Sequence, residues 1–189
     1  MHNSIYPPAE DSMLLAEEVY AEAKNLLLQK KSIKVLDMGT GSGILAETAL
    51  KAGCKKKNII AADINQKSAE LMKKKGFKSA SSDLFSRVRG KFDLIIFNPP
   101  YLPENKHDKK IDTAGGKKGY ETSLRFIRQI KSHLSEKGMA LLLSSSFTSP
   151  NILKKEMKKQ GLEFRKTASK RFFFEELFVW RIRNAKTGA

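Results

Sequence analysis

Short apolar runs alternate along the chain with segments of helical periodicity, and this alternation restricts the fold more than any other feature. The runs Ile33–Met38, Asn58–Asp63 and Phe92–Asn98 are rich in strand-forming residues, and Phe77–Ser82 is a weaker one. A strand that is apolar on both faces must be covered on both faces, which is typical of a parallel sheet between two layers of helices. The sequence therefore predicts an α/β fold.

The same pattern places the remaining elements. Helices are expected at Met13–Lys30, Ser42–Ala52, Gln66–Lys75, Leu124–Leu134 and Ile152–Gln160, and a fifth strand at Met139–Ser144. Two late strands, Glu163–Ser169 and Phe173–Ile182, follow without a helix between them, so an antiparallel hairpin at the sheet edge is expected. The prediction is a Rossmann-like, seven-stranded, mostly parallel sheet with helices on both faces.

Length and composition limit the class of protein. A chain of 189 residues is expected to form one domain: a motif and helix over 1–32, a core over 33–183 and a tail over 184–189. No apolar run could span a bilayer, and the N-terminus lacks the pattern of a secretory leader. One cysteine and three histidines give no disulfide and no metal-ligand spacing. A cytoplasmic protein without its own metal site is expected.

The net charge of +16 is high for this length. It is compatible with attraction to a polyanion such as RNA or DNA. The alternative is a solvated, lysine-rich surface, since no stripe of arginine and aromatic residues accompanies the lysines. The charge alone leaves both interpretations open.

A glycine-rich turn, residues 35–43 (VLDMGTGSG), lies between the first core strand and a helix. Gly39 and Gly41 allow the backbone to turn sharply and expose its amides to a ligand. The spacing differs from the dinucleotide pattern, which would have its third glycine at position 44, where Ile44 stands. Asp37 would repel a pyrophosphate but could hold a cationic amino group. The turn therefore favours a ligand without phosphates.

Two further acids follow neighbouring strands. Asp63 ends the second strand and could accept hydrogen bonds from ribose hydroxyls; the alternative is a helix cap. Asp83 and Leu84 follow the third strand and could bind an exocyclic amine and cover the face of a purine. The alternative for Asp83 is an ordinary turn aspartate.

The tetrapeptide Asn98-Pro99-Pro100-Tyr101 directly follows the most apolar strand. The Asn98 side-chain oxygen and the Pro99 carbonyl, held by the following proline, offer two fixed acceptors for a planar NH₂ group. Tyr101 could stack on that group. The alternative is a proline turn that only ends the strand.

These four elements in this order resemble the class I S-adenosylmethionine-dependent methyltransferases, over about residues 33–183. The opening Tyr6-Pro7-Pro8-Ala9-Glu10-Asp11-Ser12 is similar to that of the archaeal and eukaryotic HemK-type enzymes, and Gly115-Gly116-Lys117-Lys118-Gly119 resembles a later segment of that family. The resemblance implies methylation of the glutamine in the Gly-Gly-Gln tip of a peptide release factor. It also implies a small zinc-binding activator subunit as partner, which some late-strand aromatics, Phe172–Trp180, could contact, unless they simply fill the core.

The resemblance also implies roles for individual residues. S-adenosylmethionine would be held by Ser12 and Asp37, by Gly39 and Gly41 of the turn, by Asp63 at the ribose, and by Asp83 and Leu84 at the adenine. Asn98 would bind the target amide beside the donor. The family's bacterial branch usually has an acid before the glycine pair, where this chain has Ala114.

Two other functions fit the same motif. An adenine-N6 methyltransferase acting on RNA or DNA would also need to grip an NH₂ on a flat conjugated group, although base flipping from duplex DNA would be required and no target-recognition insert is evident. A cofactor-binding scaffold without catalysis is the third hypothesis, and the intact Asn98-Pro99-Pro100-Tyr101 argues against it.

Overall fold

The helices and strands of the computed structural model alternate through most of the described residues, 9–101 and 118–185. The helices are α1 (Glu10–Gln29), α2 (Ile44–Lys51), α3 (Gln66–Lys74), α4 (Glu121–Ile130) and α5 (Pro150–Lys159). The strands are β1 (Val35–Met38), β2 (Ile59–Asp63), β3 (Lys78–Ser81), β4 (Phe92–Phe97), β5 (Leu134–Ser145), β6 (Leu162–Arg171) and β7 (Glu176–Asn184).

The seven strands of this part of the chain form one sheet in the order β3-β2-β1-β4-β5-β7-β6. The first five are mutually parallel, whereas β7 pairs antiparallel with both β5 and the edge strand β6. The predicted fold class and the C-terminal hairpin are therefore confirmed.

Both faces of the sheet are buried at its central strands β1, β2 and β4, as their apolar sequences require. Leu94 and Ile96 of β4 face a cluster built with α1, α2 and α3, while Ile95 and Phe97 face a cluster built with α4 and α5. All four side chains are almost completely inaccessible to solvent. Alternate residues of one strand thus pack into two cores, which explains why its sequence is apolar apart from Asp93.

The direction of winding reverses between β1 and β4. From β1 the chain proceeds outward through β2 and β3, and then returns to the other side of β1 as β4. Met38 pairs with Phe97, so the turn after β1 and the segment after β4 leave the sheet side by side. A crevice forms where two such connections diverge, at the carboxyl ends of the strands.

Several boundaries differ from the predictions; strand β5, for example, begins at Leu134 rather than Met139. Helix α1 begins at Glu10 rather than Met13. Helix α4 ends at Ile130 rather than Leu134, because the chain then turns to pair with β4, where Phe92 N donates to His133 O at 2.8 Å. Strand β7 begins at Glu176, since Phe173 and Phe174 form the hairpin connection.

Several predicted features lie outside the described residues. They are Tyr6, Pro7 and Pro8 of the opening motif, the segment Gly115-Gly116-Lys117 with Ala114, and the tail from 186 onward. Among the residues that are described, no helix is long and apolar enough to cross a membrane. The same residues contain no group of three or more His, Cys, Asp or Glu side chains arranged to hold a metal ion.

Candidate active site

A cleft of about 280 Å³ opens at the carboxyl ends of β1, β2 and β4. Its walls include nearly every residue that the sequence singled out, contributed by the turn after β1, the end of β2, the segment after β3, the segment after β4 and the start of α1. The predicted site residues that line it are Ser12, Gly39, Gly41, Asp63, Asp83, Leu84, Asn98, Pro99, Pro100 and Tyr101. Asp37 is the exception, because it lies beneath the cleft.

The turn after β1 depends on glycine at its first bend. Gly39 has a φ of +63°, and a Cβ placed there would lie 3.1 Å from the Phe97 ring and 3.7 Å from the Asn98 carbonyl oxygen. Any side chain at position 39 would therefore push the turn away from the segment after β4. Gly41 has a φ of +50°, and its amide points toward the end of β2.

Asp37 supports this turn from below. Its carboxylate is fully buried, and one oxygen, Oδ2, accepts hydrogen bonds from Thr40 Oγ1 at 2.6 Å and from the Ala46 amide at 3.1 Å. Burial raises the pKa of Asp37 to about 7, although those two hydrogen bonds oppose the shift; the nearby Asp63 carboxylate adds to it. The other oxygen, Oδ1, has no hydrogen-bond partner among the described residues.

Asp63 joins the end of β2 to the glycine turn. Its Oδ2 accepts from the Gly41 amide and its Oδ1 from the Asn65 amide, both at 2.8 Å. The carboxylate is 8% exposed and borders the cleft. Asp63 therefore fixes the turn, and its carboxylate is a hydrogen-bond acceptor at the wall of the cleft.

The segment after β3 supplies a polar and an apolar wall. Leu84 is buried, with a φ of +46° that is unusual for a side chain of this kind. Asp83 pairs with Arg125 of α4, whose Nη2 lies 2.6 Å from the Asp83 Oδ2. Arg125 also borders the cleft, so it holds Asp83 in place across the opening.

Asn98 is held in one orientation by Asp11. The Asn98 Nδ2 donates to Asp11 Oδ2 at 3.1 Å, and a carboxylate can only accept, so the Asn98 amide oxygen must point elsewhere. That oxygen is buried and has no hydrogen-bond partner among the described residues. Because an unpaired buried acceptor is costly, the arrangement is suited to an NH₂ donor from a ligand.

Asp11 contacts two other predicted site residues. The Tyr101 hydroxyl donates to Asp11 Oδ2 at 3.3 Å. The backbone amide of Ser12 donates to Asp11 Oδ1 at 2.6 Å, and the Ser12 hydroxyl lies 3.2 Å from the same oxygen. Asp11 is itself only 4% exposed. One carboxylate at the start of α1 therefore organises the segment after β4.

Three residues of the site had been assigned no role from the sequence. They are Asp11, Thr40 beneath the turn and Arg125 opposite Asp83. Asp11 stood in the opening motif, but its contact with Asn98 joins positions 87 residues apart. No local spacing reports such a contact, and the contact of Arg125 with Asp83 joins positions 42 residues apart.

Comparison with known proteins agrees with the observed fold. The fold is that of Rossmann-like methyltransferases. A chain of the E. cuniculi Mtq2–Trm112 complex aligns with a TM-score of 0.72 and 24% identity, over 95% of this chain and 98% of that one. That complex is described as responsible for methylation of the eRF1 translation termination factor. The sequence model of the family described as "Methyltransferase small domain" matches residues 12–170. The chain belongs to this family.

Two relatives align along most of the chain. A protein of Methanocaldococcus jannaschii with the provisional name protein N5-glutamine methyltransferase is 36% identical, covering 96% of this chain and 94% of the relative. The eRF1 methyltransferase catalytic subunit mtq2 of Schizosaccharomyces pombe is 25% identical, covering 94% of this chain and 88% of the relative. We therefore interpret the cleft as a site of methyl transfer.

Proposed function

We propose that this protein transfers the methyl group of S-adenosylmethionine to the side-chain amide of the Gly-Gly-Gln glutamine of a peptide release factor. The proposal is supported by the names of the full-length relatives and by the geometry of Asn98. The observation that carries it is the hydrogen bond from Asn98 to Asp11, which leaves the Asn98 oxygen buried and available at the cleft.

The residues of the cleft fit the methyl donor. Because Gly39 has no side chain, the turn lies close to the Phe97 ring and its backbone borders the cleft. Asp63 would hold the ribose hydroxyls, Leu84 would cover the adenine and Asp83 would accept from its amine. The Asp37 oxygen that has no hydrogen-bond partner among the described residues suits the amino group of the methionine part. Ser12 and Gly41 would complete the walls.

When bound, the donor supplies an already activated methyl group, so the protein's task is to present a poor nucleophile correctly. An amide nitrogen shares its lone pair with its carbonyl and attacks weakly. The Asn98 oxygen and the Pro99 carbonyl would hold both hydrogens of the acceptor NH₂ and so orient its nitrogen. The Asp11 carboxylate behind Asn98 would favour positive charge that develops on that nitrogen.

A second candidate acceptor is the exocyclic amine of adenine in RNA or DNA. It is favoured by the net charge of +16 and by a concavity lined by Lys34, Lys57, Lys78, Arg89 and Lys91. That concavity lies at the amino ends of the strands, away from the cleft, so it does not deliver a base to Asn98. The protein acceptor is therefore preferred.

We also propose a small zinc-binding activator subunit as partner and the cytoplasm as the place of action. The first is supported by the Mtq2–Trm112 complex, one chain of which matches the fold of this protein over 95% of its length. The second is supported by the translation factor that the relatives' names mention.

A methyl-transfer assay with labelled donor tests the acceptor. The acceptors compared are a release factor, the same factor with its tip glutamine replaced, ribosomal RNA and DNA. We expect label only on the intact factor. Equal labelling of the glutamine-replaced factor, or labelling of nucleic acid alone, would overturn the proposal.

Two variants separate orientation of the acceptor from binding of the donor. Asn98→Ala should lose most of the turnover, by roughly 100-fold, because the acceptor NH₂ is no longer oriented, while donor binding is largely kept. Asp63→Ala should instead weaken donor binding, as measured by calorimetry, because both the ribose contact and the anchor of Gly41 are lost. Near-normal turnover of Asn98→Ala would remove its assigned role.

A further inference from the structure

Two phenylalanines at the β6–β7 connection are among the most exposed large apolar side chains of the described structure. Phe173 is 96% exposed and Phe174 is 83% exposed, with their ring centroids 5.2 Å apart. The connection is closed by a hydrogen bond from Phe172 N to Glu175 O at 2.7 Å. Tight connections of this kind usually carry Gly, Asn, Asp or Pro, so aromatic residues here are not explained by the turn itself.

The hairpin tip, defined as residues 172–175, stands at the same end of the sheet as the cleft. The Glu176 amide donates to Ser146 Oγ at 3.0 Å, which ties the tip to the carboxyl end of β5. Strand β5 is the neighbour of β4, after which Asn98 follows. With strands about 4.8 Å apart, the tip lies roughly 10 Å along the sheet from the segment after β4.

The end of β6, next to the tip, contacts the start of α1. Lys170, at the end of β6, lies 3.8 Å from the Glu10 carboxylate, next in sequence to Asp11. Phe172 packs against the same core cluster as Tyr101. The exposed rings therefore lie on the side of the cleft where Asn98 would bind the methyl acceptor. Asp63 lies on the other side of β1.

The charges around the tip favour a protein surface over nucleic acid. Lys170 pairs with Glu10, and Lys166 pairs with Glu176 at 3.7 Å. Arg171 is the one cation of this hairpin end without an ion pair among the described residues. A phosphate backbone requires several available cations, whereas two exposed phenyl rings gain free energy by entering an apolar pocket of a folded partner.

We infer that Phe173 and Phe174 dock the body of the protein substrate while its glutamine enters the cleft. This inference rests on the proposed function, because it names how that substrate is recognised away from the reacting amide. The hairpin contributes affinity for the whole factor and takes no part in methyl transfer itself.

Steady-state kinetics on the full chain, with its activator subunit where activity needs one, tests the inference. The double variant Phe173→Ser/Phe174→Ser should raise the KM for the intact release factor about tenfold or more, as loss of an aromatic anchor does. We expect kcat at saturating factor and the Kd of the donor to stay unchanged. The matched control is Leu28→Ser, which removes an 87% exposed apolar side chain near the C-terminal end of α1. This control should leave KM, kcat and the donor Kd unchanged.

Three results would overturn the inference while leaving the proposed function intact. The first is an unchanged KM in the double variant, and the second is a loss of both kcat and donor affinity in that variant. The third is a molar mass, measured by light scattering, that differs between the double variant and the wild type. The last would mean that the rings contact a second copy or the activator. If the wild-type enzyme binds donor but never labels the glutamine of the factor, the proposed function itself fails, and this inference with it.

Discussion

At the scale of single residues, Asp11 connects the start of α1 to the segment after β4. Its two oxygens serve different partners: Oδ2 accepts from Asn98 and Tyr101, and Oδ1 accepts from Ser12. Asp11 is a positioning residue, because it fixes the direction of the Asn98 amide.

Asp11→Ala should lower kcat by roughly 100-fold, because the Asn98 amide can then rotate away from the acceptor. The donor Kd should change little, and Asp11→Asn should recover part of kcat, since its side-chain oxygen can still accept from Asn98. Kinetics and calorimetry on both variants check this. The control is Glu10→Ala, which removes only the surface pair with Lys170; an equal loss in that control would contradict the assignment.

Asp37 gives the fold a pH dependence with a defined sign. Burial raises its pKa from 3.8 to about 7, so the folded state holds a proton that the unfolded state releases. The stability that the protonated form contributes is complete below about pH 4 and is lost as the pH rises to about 7.

Asp37→Asn should remove this dependence, since one amide oxygen can accept both hydrogen bonds that Oδ2 now accepts. One pKa unit corresponds to about 1.4 kcal/mol. The free energy of unfolding of the variant, relative to wild type, should therefore rise by up to roughly 4 kcal/mol between pH 4 and 7. Denaturant unfolding at several pH values measures this difference, and a difference that does not vary with pH would contradict it.

Asp93 provides a control, because its effect on the pH dependence of stability has the opposite sign. Burial of Asp93 tends to raise its pKa, but hydrogen bonds from the Lys34 amide, Lys30 and Ser135 outweigh this and hold the pKa below its ordinary value. Its contribution is present at neutral pH and is lost as the pH falls through the acid range. The difference between Asp93→Asn and wild type should therefore change with pH in the other direction.

At the scale of elements, the turn between β1 and α2 is fixed by packing as well as by backbone conformation. Gly43 has a φ of +90°, and a Cβ there would lie 2.3 Å from the Met72 sulfur of α3. The glycine therefore lets α2 and α3 approach each other closely beside the cleft.

Gly43→Ala should destabilise the protein by roughly 2 kcal/mol, from backbone strain and displacement of Met72 together. Gly90→Ala is the matched control, because Gly90 has a φ of +97° but no described atom within 4 Å of an added Cβ. It should cost only about 1 kcal/mol. Thermal unfolding compares the two variants. Equal losses of stability would show that the Met72 side chain moves aside without a cost in free energy.

At the scale of the whole molecule, the charge of +16 is a source of self-repulsion. The concavity lined by Lys34, Lys57, Lys78, Arg89 and Lys91 concentrates part of it at the amino ends of the strands. The described residues place no ion pair on these five cations.

Raising NaCl from about 20 to about 300 mM should therefore raise the Tm by a few degrees, because salt screens repulsion between exposed charges. Lys57→Glu should have a smaller salt dependence, since it introduces an opposite charge among the other four cations. Scanning calorimetry at several salt concentrations checks both, and a Tm that falls with added salt would contradict this account.

Local patterns predicted the sheet and most of the cleft. The apolar run of β4 specified a strand buried on both faces, and the residues directly after β1, β2, β3 and β4 converge at one edge because parallel strands end there. The prediction failed where long-range pairing decides a boundary: α4 stops at Ile130 because the following residues pair with Phe92. It also placed Phe173 and Phe174 inside a strand, because aromatic residues favour strands and the hairpin closes at residues 172–175.

The sequence by itself determined which side chains meet at the cleft that we propose holds the methyl donor and the acceptor, since a strand and the turn after it carry them in fixed order. Only the tertiary structure decided how they are held. The bond from Asn98 to Asp11, the pair of Asp83 with Arg125 and the burial of Asp37 beneath its turn join distant positions or depend on surroundings. Hydrogen bonds and desolvation act through space, and spacing along a chain reports them only where neighbours in sequence are also neighbours in the fold.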